Sequence, residues 1–172
     1  MSGNTGSNPE QTPQTQPKDS MEIPAKQILD LALRANEVNG YFHKKIWDCF
    51  SLEEQTPERL YRHLRDFQTI VLGLPHRTGK TTAVAQELLP GDLLVLSNTT
   101  FIQEHRRDYP HQHLVDILPR YYLTKNYLPA WAKGKVYNRV FIDTWSLPSP
   151  AFLRNAIKLL GHNIDQQFIV VF

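Results

Sequence analysis

The chain has 172 residues, 41% of them apolar, and carries 19 Lys and Arg against 17 Asp and Glu for a formal charge of +2. That length supports one core and leaves no room for a second full-sized catalytic domain. The near balance of charge excludes capture of nucleic acid by bulk electrostatics, so any such contact needs a local patch.

Residues 1–20 hold almost no apolar side chains and are rich in Gly, Pro, Ser, Thr, Asn and Gln. They cannot offset their own ordering entropy and are expected to be a disordered tail or linker. From Glu22 the apolar stripe Ile28, Leu29, Leu31, Ala32 and Ala35 predicts a helix that stops near Asn39 and Gly40, followed by a second short helix over Tyr41–Phe50. Thr56, Pro57 and Glu58 then read as an N-cap, a first-turn proline and an early acid, opening a helix that runs to Phe67. Residues 21–66 are thus an N-terminal helical segment and 67–172 the core.

Four short apolar runs follow: Thr69–Leu74, Leu93–Ser97, Val140–Ile142 with Asp143 at its end, and Phe168–Phe172. Their unbroken apolar character suits strands covered on both faces, and helical segments at Gly79–Leu89, Thr100–Tyr109 and Ser149–Leu160 alternate with them. The expected fold is α/β, three layers, with a mostly parallel sheet of about four strands behind N-terminal helices. Residues 110–138 carry no clear pattern beyond an aromatic cluster. Cys49 is the only cysteine, which excludes an internal disulfide and a multi-cysteine zinc site; it is read as a packed thiol. No apolar run reaches the roughly 18 residues that span a bilayer. No membrane association is expected, and the location is read as cytoplasmic, or host cytoplasm if the chain is viral.

The segment "TIVLGLPHRTGKTTAVAQELL" places a strand, a basic turn and a helix in succession, the context in which a phosphate-binding loop is credible. Backbone N–H groups of His76 to Thr82 would surround an anion, with Pro75 opening the turn: Pro75, His76, Arg77, Thr78, Gly79, Lys80, Thr81 and Thr82 are the binding candidates. In such a loop Lys80 would contact the outer phosphates of ATP and the Thr81 hydroxyl would help to hold Mg²⁺. An acid at the carboxyl end of a neighbouring strand is also required, and "RVFIDTW" supplies Asp143 as the second metal-side residue. The loop departs from G-x-x-x-x-G-K-[ST] in having Leu74 where the first glycine stands.

"LPHRTGKT" resembles the first motif of superfamily 2 helicases, whose opening residue need not be glycine, and is similar to "GPRRTGKT"-type loops of some ATPases and to viral terminase motors. The resemblance covers 67–172 and implies the additional-strand class of P-loop NTPases, with Phe168–Phe172 inserted between the loop strand and the acid strand. It also implies Glu at position 144, where this chain has Thr144, which cannot act as a carboxylate base. Catalysis would then involve Lys80, Asp143 and Thr144, either with slow or partner-dependent hydrolysis or with a glutamate from elsewhere, such as Glu104, taking the place of the base. The same resemblance places nucleic-acid contacts after the second strand, here Asn98, Thr99, Arg106 and Arg107.

No strand is seen on the outer side of Thr69–Leu74, and no second motor domain follows, so the loop strand is expected at a sheet edge. The N-terminal helices, a second protomer or a protein partner would cover it; alternatively the chain is the front piece of a longer motor. Trp47 and Trp145 read as packing residues, and Tyr121, Tyr122, Tyr127 and Trp131 as core filling rather than as a stacking surface with Lys125, Lys133 and Lys135. His105, His111 and His113 lack the carboxylate neighbours that would make them a metal site. The expected function is therefore an ATP-binding, nucleic-acid-linked ATPase; the alternatives are a hydrolysis-deficient regulatory module and a small-molecule or nucleotide kinase.

Overall fold

The computed structural model describes residues 24–75 and 78–172; the expected tail at 1–20 lies outside them, as do His76 and Arg77. The described chain is α/β. Its elements are α1 (Ala25–Asp48), α2 (Pro57–Phe67), β1 (Thr69–Leu72), α3 (Lys80–Glu87), β2 (Leu93–Leu96), α4 (Thr99–Asp108), β3 (Asp116–Pro119), α5 (Arg120–Thr124), β4 (Arg139–Asp143), α6 (Pro150–Leu160) and β5 (Gln167–Val171), with two single-turn 3-10 helices. Five strands form one sheet in the order β1-β5-β4-β2-β3, and every pairing is parallel.

Alternation along the strands divides the core in two. Leu93, Val95, Leu118, Val140, Ile142, Phe168 and Val170 project to one face and pack with Leu64 of α2, Leu123 of α5 and Phe152, Ile157 and Leu160 of α6. Leu94, Leu96, Ile117, Phe141, Ile169 and Val171 project to the other and pack with Leu29 and Leu33 of α1 and Ala83 and Val84 of α3. A strand with both faces covered needs apolar residues at successive positions, which is why these runs are continuous. Full burial of each such side chain contributes about 1.5–3 kcal/mol.

The sheet has five strands where the sequence pattern suggests about four. The additional one, β3, has only Ile117 and Leu118 between Asp116 and Pro119, too short an apolar run to signal a strand. It pairs with β2 alone, at the sheet edge where a terminal proline costs no ladder bond. At the opposite edge β1 pairs only with β5. Phe168 N donates to Gln68 O, Phe172 N to Leu72 O and Leu74 N to Phe172 O, so the backbone groups of Thr69, Val71 and Gly73 face outward. α1 and α2 each touch β1, one from either cluster, yet Val71 is exposed.

α1 is a single helix across the expected stop at Asn39 and Gly40. Gly40 serves packing instead of termination: a Cβ there would lie 2.8 Å from Gln68 Nε2, and the Gln68 amide oxygen accepts from Asn36 Nδ2 at 3.3 Å. α2 begins as its signals require, with Thr56 Oγ1 accepting from Arg59 N at 3.3 Å and proline at the first helical position. Trp47 is buried, as expected, whereas Cys49 is exposed at the end of α1 with its thiol donating to Lys45 O at 3.2 Å. No helix among the described residues is long and apolar enough to cross a membrane.

Candidate functional site

All five strands run the same way, so the loops after β1, β2 and β4 share one edge of the sheet. β2 leads to α4 and β4 to α6, whose partners lie on opposite faces. Adjacent strands whose connections diverge in this way leave a crevice at their carboxyl ends, the usual ligand position in open α/β sheets. A cleft of about 810 Å³ lies there, bounded by the loop after β1, the end of β2, α4 and the end of β4.

The loop after β1 is anchored at Leu74. Its N–H donates to Phe172 O at 2.8 Å and its side chain is buried with α1 and α3. The position where the phosphate-loop pattern has a first glycine is therefore an apolar foot under the loop, a role glycine could not fill. Thr78 Oγ1 donates to Pro75 O at 2.8 Å and ties the turn across its base. Gly79 is the N-cap of α3 at φ +78°, and a Cβ built on it would meet nothing within 4 Å. Glycine is favoured there by the left-handed backbone, not by crowding.

Three side chains close the site. Lys80 Nζ donates to Thr144 O at 2.6 Å and pairs with Asp143 Oδ1 at 3.2 Å; Thr81 Oγ1 donates to Asp143 Oδ2 at 2.8 Å. Both carboxylate oxygens are thus engaged from α3, and the pair is largely buried. β5 sets the spacing between the two halves, since Val171 O accepts from Thr144 N at 2.9 Å and Phe172 O from Leu74 N. Pro75, Gly79, Lys80, Thr81, Thr82, Asp143 and Thr144 all line the cleft.

Thr144 contributes its backbone more than its side chain. Its carbonyl holds Lys80, while its buried hydroxyl donates to Ser146 O at 2.7 Å and stabilises the following turn. The carboxylates on the far wall of the cleft are Glu104 and Asp108 of α4.

The nucleic-acid candidates lie elsewhere on α4. Asn98 caps the helix, its Oδ1 accepting from Phe101 N at 3.0 Å, and Thr99 is exposed in the first turn. Arg106 and Arg107 are exposed, and Arg107 Nε pairs with Asp108 Oδ1 at 2.9 Å. None of the four lines the cleft. The face of α4 that does consists of Phe101, Glu104, His105 and Asp108, a helical i, i+3, i+4, i+7 set that the sequence displays once the helix is placed.

His105 was the least foreseeable of these. Its Nε2 is 2.8 Å from Gln112 Oε1, and the Gln112 amide donates to Ala85 O of α3, an orientation that makes Nε2 the protonated nitrogen. Nδ1 is buried without a hydrogen-bond partner. Burial lowers the pKa of this ring, against smaller opposing effects of Gln112 and the Asp143 charge. Trp145 is not a core residue: it is 61% exposed on the cleft rim, its ring 5.5 Å from that of Phe101.

No family model matches the chain, and neither the curated proteins nor the solved structures contain a match to it.

Proposed function

We propose that the chain is a P-loop nucleotide-binding protein of the additional-strand class, which binds ATP with Mg²⁺ and hydrolyses it slowly or under the control of a partner. The observation that carries this reading is the hydrogen-bonded set of Lys80, Thr81 and Asp143 at the mouth of a cleft, with β5 lying between the strands that present them. The helix N-terminus at Gly79 and Lys80 suits an anion, and Lys80 supplies a cation for the outer phosphates.

The residues present fit Mg²⁺. Among the described residues no group of three His, Cys, Asp or Glu is arranged to hold a metal. Mg²⁺ does not require one, since it commonly takes one or two protein oxygens and completes its shell with phosphate and water. The Thr81 hydroxyl and the Asp143 carboxylate, already 2.8 Å apart, would supply those oxygens. Bound there, the ion would neutralise charge that develops on the phosphates.

Slow hydrolysis follows from Thr144. Its hydroxyl is committed to Ser146 O, and no carboxylate follows Asp143 directly. Lack of a positioned base forfeits roughly 10²- to 10⁴-fold in rate. The helicase-like or terminase-like side of the reading brings nucleic acid to α4, where Asn98, Thr99, Arg106 and Arg107 are exposed, and is consistent with a cytoplasmic protein. The engaged Thr144 equally favours a second reading, a binding module whose nucleotide is structural or regulatory and whose partner docks at the β1 edge.

Calorimetric titration of ATP with Mg²⁺ into the native chain and Lys80→Ala tests the binding, and phosphate release with and without single-stranded DNA tests the turnover. Binding that requires Lys80, with release stimulated by DNA, supports the motor-like reading; binding without release supports the module. Transfer of phosphate to a small acceptor would make the protein a kinase. Absence of binding to the native chain refutes the proposal.

A further inference from the structure

The sheet edge opposite the phosphate loop carries a surface that the nucleotide site does not use. Tyr121, Tyr127 and Trp131 are 52%, 48% and 43% exposed. The aromatic cluster therefore does not fill the core; only Tyr122, partly buried against the α6 side, and the buried Tyr137 approach that role. Three of the rings are in contact, and Trp131 is exposed on the same segment of chain. Tyr121 and Tyr122 lie 4.0 Å apart and Tyr122 and Tyr127 6.0 Å apart, between centroids, with interplanar angles of 32° and 34°. Lys133 Nζ sits 5.0 Å from the centre of Tyr127 and Lys135 Nζ 5.5 Å from that of Trp131.

Charge along this segment is one-sided. From Ile117 to Ile142 the chain has Arg120, Lys125, Lys133, Lys135 and Arg139 and no acidic residue. Arg139 is turned inward to Asp92, Arg120 lies over the buried Phe152 ring and Lys135 is paired with Asp116, which leaves Lys125 and Lys133 as the exposed cations without an acidic partner. Asp116, at the start of β3, is already held by Lys135 at 2.7 Å and by the Tyr137 hydroxyl at 3.1 Å. Exposed flat rings beside the unpaired Lys125 and Lys133 match one chemistry above others: unpaired bases that stack on the rings while their phosphates take the ammonium groups.

We infer that the strip Tyr121–Tyr127–Trp131, with Lys125 and Lys133 beside it, binds single-stranded nucleic acid without strong sequence preference. This goes beyond the nucleotide site and does not depend on it. The surface lies at β3 and the segment that follows, four strands across the sheet from β1, with α5 on the opposite face of the sheet from α4. An aliphatic docking face would not need this concentration of positive charge, and duplex nucleic acid would not present its bases to the rings.

The test uses the full chain without nucleotide and a fluorescein-labelled oligothymidylate of about 16 nucleotides, the upper end of common single-strand site sizes, followed by anisotropy. Trp131→Ala and Tyr127→Ala are each expected to weaken binding by roughly 5- to 150-fold, the range for loss of one stacked base. Lys125→Ala and Lys133→Ala are each expected to reduce the slope of log affinity against log salt by about 0.7. Lys44→Ala, on α1 across the sheet, removes the same charge and should leave that slope unchanged. An oligouridylate in parallel distinguishes RNA from DNA, and circular dichroism establishes that each variant is folded; all substituted side chains are exposed. The inference is overturned by absence of binding, by folded aromatic variants that bind as the native chain does, or by an acidic peptide that competes as well as the oligonucleotide. Because no ATP is present, none of these outcomes bears on the phosphate-loop reading.

Discussion

Replacing Asp143 by asparagine should move ATP affinity in opposite directions with and without magnesium. In the ligand-free chain the carboxylate holds Lys80 at 3.2 Å in largely buried surroundings. On the proposed function, a triphosphate would have to take Lys80 from it. At an effective dielectric near 20, charges separated by 3.2 Å attract by about 5 kcal/mol before desolvation is counted. The net worth of a hydrogen bond to a charged group is about 1.5–3 kcal/mol. Asparagine keeps the shape, and its oxygen can still accept from Thr81, but its amide cannot hold an ammonium group. In excess EDTA, Asp143→Asn should therefore bind ATP about 10- to 100-fold more tightly than the native chain, by the same energy scale. With Mg²⁺ the variant should bind more weakly than native, because the carboxylate oxygen for the ion has gone. Calorimetry under both conditions measures the crossing. A variant that is weaker in EDTA, or unchanged in both, would show that the Lys80–Asp143 pair does not gate the site.

Arg139→Met should destabilise the fold by about 3–5 kcal/mol in urea titration, as breaking a buried ion pair does. Asp92, whose side chain is 1% exposed, would keep only the Leu89 N–H at 2.9 Å, and adding Asp92→Asn should recover part of the loss. Gly161→Ala places a Cβ 2.5 Å from Ile157 O and 2.6 Å from Leu64 Cδ1, so the urea midpoint should fall by the equivalent of about 1–3 kcal/mol. Burial lowers the pKa of both His63 and His105, so the unfolded chain takes up protons that the native chain refuses. Stability should be full above the ordinary histidine value of 6.5 and decline as pH falls through it toward the lowered native values. His105→Gln should flatten that decline in urea titrations across the range.

Legibility of the fold from the sequence followed the strength of the local signal. β2, β4 and β5 were readable because central strands must be apolar throughout, and Thr56-Pro57 was readable because cap and first-turn chemistry is local. β3 was not, because an edge strand of two apolar residues between an acid and a proline has no signature of its own. Gly40 misled for a different reason: its stop signal is real in isolation, but Gln68, distant in sequence, uses the missing Cβ. At the site, the residue types of Gly79, Lys80, Thr81 and Asp143 announced themselves. The commitment of the Thr144 hydroxyl to Ser146, the apolar foot at Leu74 and the Gln112 bond to His105 depend on side-chain direction, which spacing alone does not carry. The exposure of Trp145, Tyr121, Tyr127 and Trp131 was likewise invisible, since composition does not say which face of an aromatic ring meets water.

β5 has a consequence for the order in which this molecule assembles. Within the described sheet, β1 touches no other strand, and its partner lies about a hundred residues further along the chain. Strands β2, β3 and β4 can join one another before β5 arrives, but the strand that bears the loop cannot join them. Lys80 and Asp143 therefore meet late, after the longest loop in the fold has closed. Contacts so distant in sequence slow folding. The cleft is thus the part of the fold that waits on the most distant strand pairing, that of Ile70 and Leu72 with Ile169 and Val171.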